Sequence, residues 1–153
     1  MKTYNELVAQ AAARISEIFP WDLDEQLKTN APLLLDVREP AEFEIMHISG
    51  AINVPRGILE QSCEWDYEET VPELVRARDQ HVVVICRSGN RSVLAAYNMQ
   101  LLGYEFVASL KTGLKGWSDY ELPLVNRQGD EVSRNEADAY FTPHVREDQK
   151  KPI

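Results

Sequence analysis

Apolar positions along the chain follow two rhythms, short continuous runs and a spacing of three to four residues. Over 4–19, Leu7, Ala11, Ile15, Ile18 and Phe19 recur at helical intervals and Pro20 closes the pattern, which predicts an amphipathic N-terminal helix. "APLLLDVR" reads as an apolar strand ending in charge at Asp36 and Arg38. "PAEFEIMHI" opens on Pro40, a residue suited to the first turn of a helix, and "GAINVP" is a second short strand closed by Pro55. Residues 57–70 are acidic and irregular and are left unassigned. In "TVPELVRARD" a helix is expected, with Thr70 as its cap and Pro72 in its first turn. "HVVVI" is a buried strand, "SVLAAYNMQLLG" a helix stopped by Gly103, "FVASL" another strand, and "GLKGWSDY" a turn leading into a short helix.

Strands that are apolar throughout, alternating with helices, predict an α/β domain with an open, mostly parallel sheet covered by helices on both faces. The expected organisation is an N-terminal helix in 1–20 packed on the domain, the domain itself in 21–125, and a charged C-terminal extension in 126–153. From Asn126 onward the chain is polar and weakly periodic, and its charge favours loose ordering over wrapping around the domain.

At 153 residues, 44% hydrophobic and 27% charged, the composition is that of an ordinary soluble domain with a real core. The net charge of −9 argues against nucleic acid and anionic membranes as general partners, and makes any local arginine cluster more informative. No stretch approaches the ~18 apolar residues of a membrane span. Asn5, Glu6, Gln10 and Arg14 interrupt the N-terminus, so no secretory apolar core is read and a cytoplasmic location is expected. Cys63 and Cys86 are the only cysteines, which gives neither a disulfide framework nor a metal-ligand pairing. Neither metal nor cofactor is expected, and in a reducing compartment Cys86 is free to react.

Cys86 sits where a buried strand feeds a helix, in "VVVICRSGNRS". In open α/β sheets such junctions bind ligands, and the unpaired amides of the helix start favour anions. Gly89 permits a tight backbone cradle, while the helix dipole and the guanidinium groups of Arg87 and Arg91 favour a thiolate over a thiol. A small buried cysteine is the bland alternative, but two arginines beside it imply anionic partners. The residues alone therefore point to an activated thiolate facing an anionic ligand.

"CRSGNRS" after "VVVI" closely resembles the active-site loop of the rhodanese (sulfurtransferase) superfamily. "LLLDVREPAEFEIMHISGAINVP" is similar to that family's N-terminal motif and "GLKGWSDYELPLV" to its C-terminal one. The three occur in the family's order across roughly residues 25–125. One departure is Met46, where the family usually has a glycine before the histidine; it is expected to affect a turn rather than the chemistry. The resemblance implies a rhodanese-like fold in which Cys86 takes a sulfane sulfur from thiosulfate or a persulfide donor and passes it to a thiol or cyanide. It implies further that the amides of Arg87, Ser88, Gly89, Asn90, Arg91 and Ser92 hold the persulfide, and that Arg87 and Arg91 bind donor oxygens. A sulfur-carrier protein is among the partners it allows.

Asp36 and Arg38 end the first strand on the same sheet edge as Cys86, where a structural ion pair is favoured over a contribution to the pocket's field. His47 is expected to hold a turn by hydrogen bonding and Trp117 to anchor the core. Cys63, in "EQSCEWDYEE", lacks positive neighbours and should form a thiolate poorly. Two rival readings stay open. A rhodanese module can serve recruitment or sulfur relay with little catalysis, and the acidic segment around Cys63 could dock a partner. A cysteine phosphatase loop typically places its arginine six positions after the cysteine, but here Ser92 holds that place and Arg91 the one before. That shorter loop counts against phosphoryl chemistry.

Overall fold

The computed structural model describes residues 1–153. In chain order the elements are α1 (Tyr4–Ala12), β1 (Ser16–Ile18), α2 (Pro20–Lys28), β2 (Leu33–Asp36), α3 (Pro40–Ile45), β3 (Ile52–Asn53), α4 (Leu59–Ser62), α5 (Pro72–Val75), β4 (His81–Ile85), α6 (Asn90–Leu101), β5 (Phe106–Leu110), α7 (Gly113–Asp119) and α8 (Arg134–Phe141). The strands form one parallel sheet in the order β1-β5-β4-β2-β3. No helix is long and apolar enough to cross a membrane.

Side chains of a strand alternate between faces, so the apolar run of β4 serves two cores. Val82, Val84 and Cys86 join a cluster with Ala95, Ala96 and Met99 of α6. Val83 and Ile85 point the other way, into a cluster with Leu114 and Trp117 of α7 and Phe141 of α8. This doubly covered sheet is the architecture expected from continuous apolar strands. The same alternation turns the Cys86 side chain toward α6. Helix α6 ends where Gly103 takes a left-handed φ of +95° and Tyr104 N–H returns to the Met99 carbonyl at 3.1 Å, as the stop signal predicted.

Four expectations are corrected. The N-terminal helix stops at Ala12; residues 16–18 are an edge strand paired with β5, and Pro20 begins α2 instead of ending a helix. Ile15, just before this strand, packs against the first core, while Ile18 on it packs against the second. Three residues are too few for a period, and pairing with β5 outweighs the local pattern. Thr70 does not cap α5: Val71 holds that position, while Thr70 Oγ1 donates to the Glu64 carbonyl at 2.6 Å. "GLKGWSD" is itself the helix α7, with no turn inside it. Finally, the extension is not loose along its length. Helix α8, capped by Ser133 accepting from Glu136 N–H at 3.1 Å, buries Ala137 and Phe141 in the second core. Two buried residues in eight leave a sequence that reads as polar.

Candidate active site

Cys86 follows β4 at the carboxyl edge of the sheet and is 1% exposed. Two backbone N–H groups reach its sulfur, that of Gly89 at 3.1 Å and that of Ser92 at 3.3 Å. The Cys86 thiol donates to Ser92 Oγ at 3.2 Å, and that hydroxyl lies 2.7 Å from the Ser109 hydroxyl; once the thiol proton is lost, the Ser92 O–H can turn onto the sulfur. Fixed donors converging on one buried atom stabilise negative charge there without any reorganisation. All lie at the start of α6, where the helix dipole acts in the same sense.

The loop owes this shape to its neighbour. At the start of α7, Leu114 N–H donates to the Cys86 carbonyl and Lys115 N–H to the Arg87 carbonyl, both at 2.9 Å. With these carbonyls drawn outward, the following amides turn inward onto the sulfur. Gly89 makes the turn at φ +91°, and a Cβ there would stand 3.0 Å from Thr112 N and 3.3 Å from the Leu110 carbonyl oxygen. Thr112 itself sits at φ +66°, an unfavourable region for a β-branched residue.

The two loop arginines are engaged by the chain. Arg91 makes a two-pronged pair with Glu42 of α3, Nη1 to Oε2 at 2.8 Å and Nη2 to Oε1 at 2.9 Å. Arg87 Nη2 donates to the Phe141 carbonyl at the end of α8, at 3.2 Å. Ser88 is exposed and Asn90 half-buried, so of the predicted loop residues the sulfur gathers Gly89 and Ser92. Asp36 and Arg38 form a fully buried pair, with Nη2 to Oδ2 at 2.8 Å, and Arg38 also donates to the Met46 carbonyl at 2.7 Å. Arg38 Nη1 reaches the Glu42 carbonyl at 3.4 Å, so the pair tethers α3 beneath the loop.

Glu42 is absent from the sequence-derived candidates. Its only legible signal was its place three residues after Glu39 in a helix opened by Pro40, and its Oε2 does accept from Glu39 N–H at 2.9 Å. The Arg91 guanidinium beside it holds its carboxyl below the ordinary value of 4.5, against the opposing effect of burial. A depressed carboxylate contributes stability that is complete above its unfolded value and is lost as pH falls through the folded one. Glu42→Gln is therefore expected to lower stability at pH 7 by about 0.5–1 kcal/mol, a Tm gap of roughly 1–4 °C. That gap should close as pH falls below about 4.5, in thermal unfolding measured from pH 7 to pH 3.

The remaining candidates have structural places. His47 Nδ1–H donates to the Phe43 carbonyl at 2.8 Å and its ring stacks on Phe43. Trp117 is 1% exposed and donates to the Pro123 carbonyl at 2.9 Å. Met46 does not disturb a tight turn: it lies in extended backbone at φ −164°, with its side chain in the second core. Cys63 is fully buried in the first core, and that burial pushes its thiol up.

The rhodanese-like domain family model matches residues 20–120. The chain is 36% identical over 100 residues to the adenylyltransferase and sulfurtransferase MOCS3 of Drosophila virilis, a match covering 64% of this chain and 21% of that protein. Its fold resembles a Rhodopseudomonas palustris protein described as a possible tyrosine phosphatase, with TM-score 0.73, 27% identity and coverage of 80% and 94%. It also resembles a rhodanese-related protein of Thermoplasma volcanium, with TM-score 0.60, 31% identity and coverage of 72% and 97%. The chain thus spans about a fifth of that MOCS3 relative.

Proposed function

The chain belongs to the rhodanese-like domain family, a family of sulfur transfer, and from that premise we propose that it is a sulfurtransferase working through a persulfide on Cys86. The observation that carries this reading is the convergence of the Gly89 and Ser92 amides on one buried sulfur. Attack of the Cys86 thiolate on the outer sulfur of thiosulfate or a persulfide breaks the donor's S–S bond. The leaving group keeps the electron pair, and Cys86 keeps the sulfur. A thiol or cyanide then attacks that sulfur and restores the thiolate, in two covalent half-reactions. The loop donors serve the anionic sulfur at both stages. Asp36 and Arg38 support α3 in this reading, and Cys63 takes no part.

Incubation with a sulfur donor followed by intact-mass measurement tests the proposal. One added sulfur, removed again by cyanide or a thiol, is the expected result. No adduct from thiosulfate or from an organic persulfide leaves a recruitment module as the better account. Hydrolysis of a generic aryl phosphate that depends on Cys86 would favour the phosphatase instead.

A further inference from the structure

The arginines that decorate the Cys86 loop are already matched by charges and carbonyls of the chain itself. Arg91 faces the Glu42 carboxylate through two bonds, and the side chains of this pair are only 34% and 24% exposed. Arg38 is matched by Asp36 in full burial. Arg87 alone has no carboxylate partner, and its guanidinium is drawn to the Phe141 carbonyl of α8, a helix beyond the family match at 20–120. Of these three arginines, two are offset by carboxylates and Arg87 is not.

That balance separates the two donor classes. Attack on thiosulfate brings a dianion to a thiolate, so three negative charges share the transition state and sulfite leaves with two of them. Attack on a hydropersulfide, Cys–S⁻ + R–S–SH → Cys–S–SH + R–S⁻, carries a single negative charge when R is uncharged. In a buried site, charge without a partner is costly, so with Arg91 offset by Glu42 the site suits the second reaction and undercompensates the first.

We infer that Glu42 sets donor specificity at the Cys86 site, holding Arg91 so that an organic hydropersulfide is used in preference to thiosulfate. This rests on the sulfur-transfer reading. Glu42 acts through Arg91 and is a positioning residue; it touches no reacting atom.

The test compares single-turnover loading of Cys86, followed by intact mass, with an uncharged alkyl hydropersulfide and with thiosulfate on the same protein sample. Taking a ratio within one sample cancels any partly unfolded fraction. The wild type is expected to favour the hydropersulfide by about tenfold or more. In Glu42→Gln the carboxylate charge is gone while the amide can still meet Arg91. The preference should move about tenfold or more toward thiosulfate, and Glu42→Asp, which keeps the charge, should hold it within about threefold of wild type. Loading by both donors with thiosulfate preferred, or a ratio unmoved in Glu42→Gln, overturns the inference and leaves sulfur transfer standing. Loading by neither donor in the folded wild type overturns both.

Discussion

Cys86→Ser is expected to abolish sulfur loading, with a loss of at least ~10⁴-fold in transfer rate, because a serine hydroxyl is a far weaker nucleophile than a thiolate. The substitution removes one polarisable atom and changes little else. Serine Oγ can accept from the Gly89 and Ser92 amides that now reach the sulfur at 3.1 and 3.3 Å. The fold should therefore persist, with a melting temperature close to that of wild type. Intact mass after donor treatment, read beside thermal unfolding, separates chemistry from stability. An adduct of one sulfur on folded Cys86→Ser protein would move the reacting group elsewhere in the chain, and burial of Cys63 makes that thiol a poor substitute.

Gly113→Ala is expected to be the most damaging change outside the loop itself. A Cβ at Gly113 would lie 2.5 Å from the carbonyl carbon and oxygen of Arg87 and 2.6 Å from the Cys86 carbonyl oxygen. These are backbone atoms held by the amides of Leu114 and Lys115, so no flexible side chain can yield. The φ of +61° adds conformational strain for any residue with a Cβ. A destabilisation of about 2–4 kcal/mol is expected, from steric displacement plus strain. The loop must shift outward to escape the clash, and a shift of ~1 Å can cost ~10²-fold in rate. Thr112→Gly supplies the contrast. Thr112 holds a φ of +66° against the preference of its branched side chain, so glycine there relieves strain and should leave stability equal or higher by up to about 1 kcal/mol. Chemical denaturation of both variants, with loading rates on each, checks the pair; an unperturbed Gly113→Ala would show that α7 does not shape the loop.

The legible parts of the molecule were those whose signal is local. A continuous run such as His81–Ile85 needs burial on both faces, and that requirement alone points to a covered parallel sheet. Gly103 ended α6 for a conformational reason that any helix shares. Residues 16–18 were illegible because their strand exists only through pairing with Ser109 and its neighbours, some ninety positions away. Helix α8 was hidden because it lays just Ala137 and Phe141 on the core and shows solvent a charged face.

The site divides along the same line. By itself, the sequence determined that a lone cysteine ends a buried strand at a helix start, beside a glycine and two arginines. Local chain geometry suffices for that, since a strand, a tight turn and a helix N-terminus bring amides toward one atom wherever they occur. The partners of the arginines come from long-range packing. Arg91 meets Glu42 from 49 positions away and Arg87 meets Phe141 from 54, so their charge is committed by contacts that no local pattern encodes. Electrostatic balance depends on through-space distance and burial, and both are properties of the assembled fold.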